Sequence, residues 1–170
     1  LILVDTSYKP PFIGSNFVAY FLNKYPNCKI INLDKLTYAA DVKNLDEVSN
    51  NPKYKLIQGD ICDRELVESI FKEYNIKGVI HFAAESHVDN SIETPEIFIK
   101  TNVFGTFTLI DVAYRFWMKE PFVYKKGYRD SRFHHISTDE VYGSLNDKGY
   151  FTEKTPYAPN SPYSASKASS

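Results

Sequence analysis

Tyr163 and Lys167 lie four residues apart, a spacing that puts both on one face of a helix. There an ammonium favours the phenolate and lowers the phenol's pKa. Such a tyrosine can take a proton from an alcohol while hydride leaves the same carbon for a nicotinamide. Upstream, Ser137-Thr138-Asp139-Glu140 adds two hydroxyls and two adjacent acids, more than a simple alcohol oxidation needs. Like charges placed together push their pKa values apart, which suits one acid donating a proton while the other accepts one. The plainer reading of Asp139-Glu140 is a helix-start cap beside a solvated acid, and Tyr-x-x-x-Lys alone is common on helix surfaces.

These residues need a frame. Leu1–Val4 is a short apolar run suited to a buried strand, and helical spacing of Ile13, Phe17, Val18, Phe21 and Leu22 predicts a helix over Phe12–Tyr25. Strands follow at Lys29–Leu33, Tyr54–Gln58, Gly78–Ala83 and Arg132–Ile136. Residues 40–52 read as a short helix and a loop, and Asp63 caps an amphipathic helix reaching Tyr74. A long helix is predicted over Pro95–Trp117, and 118–131 reads as a surface loop. Strands alternating with helices define an α/β fold with a doubly wound, mostly parallel sheet. Ligands of such sheets bind beyond the carboxyl ends of the strands. Asp34, Asp60-Ile61, Ala83-Ala84-Glu85-Ser86 and Ser137–Glu140 all fall at such ends.

Asp34, after the second strand, can accept hydrogen bonds from both hydroxyls of an adenosine ribose, which favours NAD over NADP. Its neighbour Lys35 could soften the repulsion of a 2′-phosphate. Asp60 and Ile61 would meet the adenine edge. The turn before the first helix should be rich in glycine. Here Tyr8-Lys9-Pro10-Pro11 precedes Phe12-Ile13-Gly14, and only Gly14 fits. The prolines have no N–H to offer a pyrophosphate.

A chain of 170 residues suits one domain, and its net charge of −1 gives no broad footprint for nucleic acid or an anionic membrane. Cys28 and Cys62 form no disulfide framework or metal pattern, the four histidines lack ligand spacing, and no run is long enough to span a bilayer. The expected setting is the cytoplasm, with no metal. The opening on Leu1 without a methionine, and the stop at Ser170 barely a turn after Lys167, predict a portion of a longer protein.

Four segments carry a family resemblance: Asp34–Ala39, Phe82–Asp89, Phe133–Gly143 and Ser161–Ser170. Through them the chain resembles the dTDP-glucose 4,6-dehydratases, extended members of the short-chain dehydrogenase/reductase superfamily. The resemblance runs from Phe12 to the carboxyl end. It implies a Rossmann-like NAD domain over 1–170, incomplete at its carboxyl end, with the substrate domain elsewhere. It implies Tyr163 as base at the sugar 4-hydroxyl, with Lys167 lowering its pKa and holding the nicotinamide ribose. Thr138 would bind the C4 oxygen, Glu140 remove the C5 proton, and Asp139 protonate the departing 6-hydroxyl. NAD would contact Phe12, Ile13, Gly14, Asp34, Lys35, Leu36, Thr37, Asp60, Ile61, Ala83, Ala84, Ser86, Thr101, Ser137, Tyr163 and Lys167. The sugar would meet Ser86 and Thr138–Glu140. Asn102 would either support the cofactor beside Thr101 or stabilise the sheet, and the apolar face of the long helix resembles the family's homodimer surface. The implied activity is a hydro-lyase of deoxysugar biosynthesis. The alternatives are a dehydratase or epimerase of another nucleotide sugar, such as UDP-glucose, and a non-catalytic binder of NAD or a sugar nucleotide.

Overall fold

The computed structural model describes residues 2–5, 12–36, 45–145 and 149–170, with main chain alone at 2–5 and 12. Thr37 and the Tyr8-Lys9-Pro10-Pro11 segment lie outside the described residues.

Five parallel strands make the central sheet: β1 (Ile2–Asp5), β2 (Ile30–Asp34), β3 (Tyr54–Gln58), β4 (Gly78–His81) and β7 (Arg132–His135), in the order β3-β2-β1-β4-β7. The order reverses at β1, which pairs Val4 with Asn32 on one side and Ile80 on the other. Because every strand is parallel, Asp34, Gln58, His81 and His135 all finish at the same end of the sheet. The predicted clustering of polar residues at one end is therefore present. Asp34 is the last residue of β2 rather than the first beyond it, and β4 stops at His81, two residues short of the predicted Ala83.

Helices α1 (Phe12–Lys24) and α2 (Asp46–Ser49) are joined in one core, where Val18 and Leu22 meet Ile30, Leu45 and Val48. A second core brings α3 (Arg64–Tyr74) and the later helix α6 (Thr106–Trp117) against Ile31, Leu33 and Val79. Adjacent residues of β2 thus serve opposite cores, as a strand buried on both faces requires. Phe71 is fully buried in the second core, and truncating such a ring costs about 3–5 kcal/mol. Asp63 caps α3 as predicted, accepting from the Leu66 N–H at 3.1 Å.

Three predictions are corrected. The helix expected over Pro95–Trp117 is α5 (Pro95–Phe98), a π-helical segment Ile99–Gly105, and α6, continuous in right-handed dihedrals. Gly105 explains part of the widened turn: a Cβ there would stand 2.5 Å from Ile61 Cδ1, so the backbone packs directly on the loop after β3. A polar helix, α4 (Val88–Glu93), fills a stretch given no element by pattern.

The third correction concerns 118–131, which is not a plain loop. It contains an antiparallel hairpin of β5 (Met118–Glu120) and β6 (Val123–Tyr124), turned by Pro121-Phe122. Phe122 has φ 65°, where glycine or asparagine is preferred after proline. It is 96% exposed, so it recovers none of that cost through burial. Phe122→Gly should raise stability by about 1 kcal/mol, read as a higher denaturant midpoint at unchanged slope. An unchanged or lower midpoint would refute the strain.

Candidate active site

Helix α7 (Pro162–Ser169) is built by its first residues. Ser161 Oγ accepts from the Ser164 N–H at 3.0 Å, the Ser164 hydroxyl faces the Ser161 N–H at 3.0 Å, and Pro162 occupies the first turn. These contacts start a helix too short to form alone. Its inner face buries Tyr163, Ser164, Ser166 and Lys167. Lys167 Nζ donates to the Ile136 carbonyl at 2.8 Å, fixing α7 beside the residue that follows β7. Burial lowers the Lys167 pKa to about 8. The Tyr163 ring packs edge-on to Phe98 at 6.4 Å.

Beyond Ile136 the chain enters a 3₁₀ turn, Asp139–Tyr142, against which α7 packs. Thr138 is its N-cap, its Oγ1 accepting from the Glu140 N–H at 3.3 Å. The cap expected at the Asp-Glu pair is therefore Thr138, and Asp139 and Glu140 are the first two residues of the turn. Ser137, Asp139 and Glu140 are exposed. The structure brings Thr138–Glu140 and the Tyr163–Lys167 face together at the carboxyl end of β7.

Asn102 links this corner to the loop after β4. Its Oδ1 accepts from the Glu85 N–H at 2.7 Å, and its Nδ2 donates to the Glu85 carbonyl and to Ser166 Oγ, both at 2.8 Å. Ser166 in turn donates to the Tyr163 carbonyl at 2.7 Å. Ala83 and Ala84 are buried, and Ser86 Oγ is buried with no hydrogen-bond partner among the described residues.

Pattern also missed an imidazole pair near Lys167, with His81 buried and His135 half-buried. His81 and His135 stand 5.1 Å apart between centroids. Thr106 Oγ1 donates to the Asn102 carbonyl, so it accepts from His81 Nε2 at 2.8 Å. Ser170 Oγ donates to the Lys167 carbonyl and accepts from His135 Nε2 at 3.2 Å. Burial and the neighbouring cations depress both pKa values, to about 3 for His81 and about 4 for His135. The alternation of β7 was the one signal in the sequence, since it points His135 opposite to His134.

At the far end, Asp34 is buried and its Oδ1 accepts from the Leu36 N–H at 2.8 Å, holding Leu36 at φ 51°. Lys35 is engaged by Asp60, Nζ to Oδ2 at 2.8 Å, while Asp60 Oδ1 accepts from the Cys62 N–H at 2.9 Å. Burial alone would raise the Asp60 pKa. Lys35 and the Cys62 N–H outweigh burial and hold it below the usual range. Burial, aided by Asp60, pushes the Cys62 thiol up to about 12, which leaves it protonated and inert. Ile61 is buried in the core, Ile13 is exposed, Gly14 is buried in the first turn of α1, and Thr101 is half-buried in the π segment.

These residues fit an adenine dinucleotide on three observations. A buried carboxylate ends β2, methyl-sized side chains line the loop after β4, and the buried Ser86 hydroxyl has no partner among the described residues. Among the described residues no group of three or more His, Cys, Asp or Glu could hold a metal ion.

The strand order and the polar residues at the strand ends define a doubly wound α/β fold of the Rossmann type. The family model described as GDP-mannose 4,6 dehydratase matches residues 11–170, and the chain belongs to that family. A dTDP-glucose 4,6-dehydratase of Haemophilus influenzae is 50% identical over 160 residues, covering 94% of this chain and 46% of that protein. The structure of a dTDP-glucose 4,6-dehydratase from Bacillus anthracis in complex with NAD superposes with a TM-score of 0.80 at 43% identity. It covers 99% of this chain and 47% of that one. A Streptomyces venezuelae counterpart, also with NAD bound, gives a TM-score of 0.83 at 42% identity and covers 99% and 48%. The chain spans about half the length of the curated relatives it matches.

Proposed function

We propose that the full protein is an NAD-dependent dTDP-glucose 4,6-dehydratase and that this chain carries its cofactor domain and its reacting acids and base. NAD, when bound, supplies the hydride acceptor for oxidation at C4 and the donor for reduction at C6. Gly14, Asp34, Leu36, Asp60, Ala83, Ala84, Ser86, Thr101, Ser137, Tyr163 and Lys167 would hold it. Tyr163 Oη takes the 4-hydroxyl proton, with the Lys167 ammonium stabilising the phenolate. Thr138 Oγ1 orients the C4 oxygen. Oxidation at C4 acidifies the C5 proton, which Glu140 removes while Asp139 protonates the leaving 6-hydroxyl. Most contacts to the nucleotide base would come from the remainder of the full protein.

The observation that carries this reading is the docking of α7 onto Ile136, beside Thr138–Glu140 and at the sheet end that holds Asp34. The test is full-length protein with NAD and either dTDP-glucose or UDP-glucose. A 4-keto-6-deoxy product from dTDP-glucose, lost in Glu140→Gln, is expected. Absence of that product with both sugars would refute it.

The exposed Ile99, Phe104, Phe107, Ile110 and Tyr114 on one long helix support a homodimer. Light scattering of the full-length protein would test it. No helix among the described residues is long and apolar enough to cross a membrane, and both cysteines are free, in keeping with a cytoplasmic setting.

The cofactor reading has a sharper expectation. Lys35 is held by Asp60 at the sheet end where the buried Asp34 would meet the adenosine ribose. Asp60→Asn releases Lys35 toward a 2′-phosphate and should raise the NADP-to-NAD affinity ratio by about tenfold. The adenine is common to both cofactors, so a weaker hold on it cancels in the ratio. The gain should vanish in Asp60→Asn/Lys35→Ala, and equal ratios in wild type and Asp60→Asn would refute it.

A further inference from the structure

The hairpin tip is an apolar knob on a cationic base. Phe122 is 96% exposed, with Val123 at 43% and Tyr124 at 40% beside it. Residues 118–132 carry five lysines and arginines against two acids, in a chain whose net charge is −1. Lys119, Lys125, Lys126 and Arg129 are exposed, and none of them enters an ion pair among the described residues. Chain-wide charge conceals this local excess.

The knob is also held firmly. The Lys125 N–H donates to the Trp117 carbonyl at 2.8 Å and Lys125 Nζ to the Arg115 carbonyl at 2.7 Å. Just beyond, Tyr128 donates to Asn75 Oδ1 at 2.6 Å while Lys77 Nζ lies 4.0 Å from its ring centroid. A left-handed backbone then projects the Phe122 ring clear of the protein.

We propose that this tip docks on an anionic lipid bilayer, with Phe122 entering the interfacial layer and the surrounding cations meeting headgroup phosphates. A protein partner would need a fitted pocket and roughly 800 Å² on each side, more than a tip of a few residues presents. A bilayer accepts one ring without a pocket, and its negative surface complements the cations. Each lysine or arginine near such a surface contributes about fivefold to partitioning. Contact of this kind is weak and reversible.

The test is co-sedimentation of full-length protein with phosphatidylcholine vesicles, with and without phosphatidylglycerol. Binding is expected only to the anionic vesicles, with release near about 1 M salt, where screening shortens to about 3 Å. Phe122→Asn keeps the left-handed backbone comfortable and should lower the bound fraction several-fold at unchanged turnover. Lys119→Glu/Lys126→Glu should lower it at least about tenfold. Absence of binding, equal binding to neutral vesicles, or full binding by Phe122→Asn would overturn the proposal. So would retention on a heparin column without vesicle binding.

Discussion

Lys167→Met is expected to cut turnover by orders of magnitude and at the same time make the fold more stable. Burial has lowered the Lys167 pKa from 10.5 to about 8. On a scale of about 1.4 kcal/mol per pH unit, holding that ammonium in the folded state costs roughly 3 kcal/mol near neutrality. Methionine keeps the length of the side chain and removes the charge. The loss of the Lys167 bond to the Ile136 carbonyl takes back about 1–2 kcal/mol, so a net gain of about 1–2 kcal/mol remains. Turnover should fall by about 10²–10⁴, the usual worth of a positioned proton-transfer group.

The pH profile separates this explanation from simple repacking. Between pH 8 and 10.5 the unfolded lysine holds a proton that the folded one has released. The unfolded state binds more protons there, so wild-type stability should rise with pH across that window. Lys167→Met should lack the rise. His81 and His135 produce a separate limb at low pH. Their folded pKa values lie near 3 and 4, below the ordinary 6.5. Their contribution is complete above about pH 6.5 and is lost as the pH falls toward those values. Lys167→Met should keep a narrower acid limb, because burial is the main cause of both depressed values and Lys167 a lesser one. A variant that still rises from pH 8 to 10.5 would show that Lys167 is not the group responsible.

Gly143→Ala is the second large effect, and it acts from outside the reacting groups. Gly143 ends the Asp139–Tyr142 turn at φ 92° and ψ −140°, a conformation open essentially to glycine alone. A Cβ there would lie 2.6 Å from the Ala158 carbonyl oxygen. That oxygen cannot retreat freely. The Ala158 N–H donates to the Val141 carbonyl at 3.0 Å, and Asn160 Nδ2 donates to Ser144 Oγ at 3.1 Å. Strain and contact together should cost about 3 kcal/mol. A drop in Tm of about 6–12 °C is the expected readout. The displaced turn carries Asp139 and Glu140, so kcat should fall by about 10²-fold while NAD affinity changes little. A Tm within a degree of wild type would show that the loop yields without cost.

How far the sequence foretold the molecule depends on the kind of contact involved. Strand β3 lies where its residues predicted, and Asp63 caps α3 as read, because both are settled by a few consecutive side chains. The gathering of Asp34, Asp60, Ser86 and Ser137 at one end followed from strand parallelism alone. The π segment was not legible, because one extra residue in a turn leaves the apolar spacing on either side nearly unchanged. The hairpin escaped notice because its turn is Pro121-Phe122 and lacks the expected Asn or Gly. Pairings between distant segments were invisible too. The bond of Lys35 to Asp60 joins the ends of two strands, and Asn102 reaches both Glu85 and Ser166. Such contacts exist only after the sheet has formed.

The widened turn at Ile99–Gly105 leaves the chain intolerant of shortening there. Removing one residue would restore ordinary α-helical winding and swing Asn102 by about 100° around the axis. Its amide would then face away from Glu85, and the loop after β4 would part from the helix that carries the tyrosine. Such a deletion would uncouple two halves of one cleft.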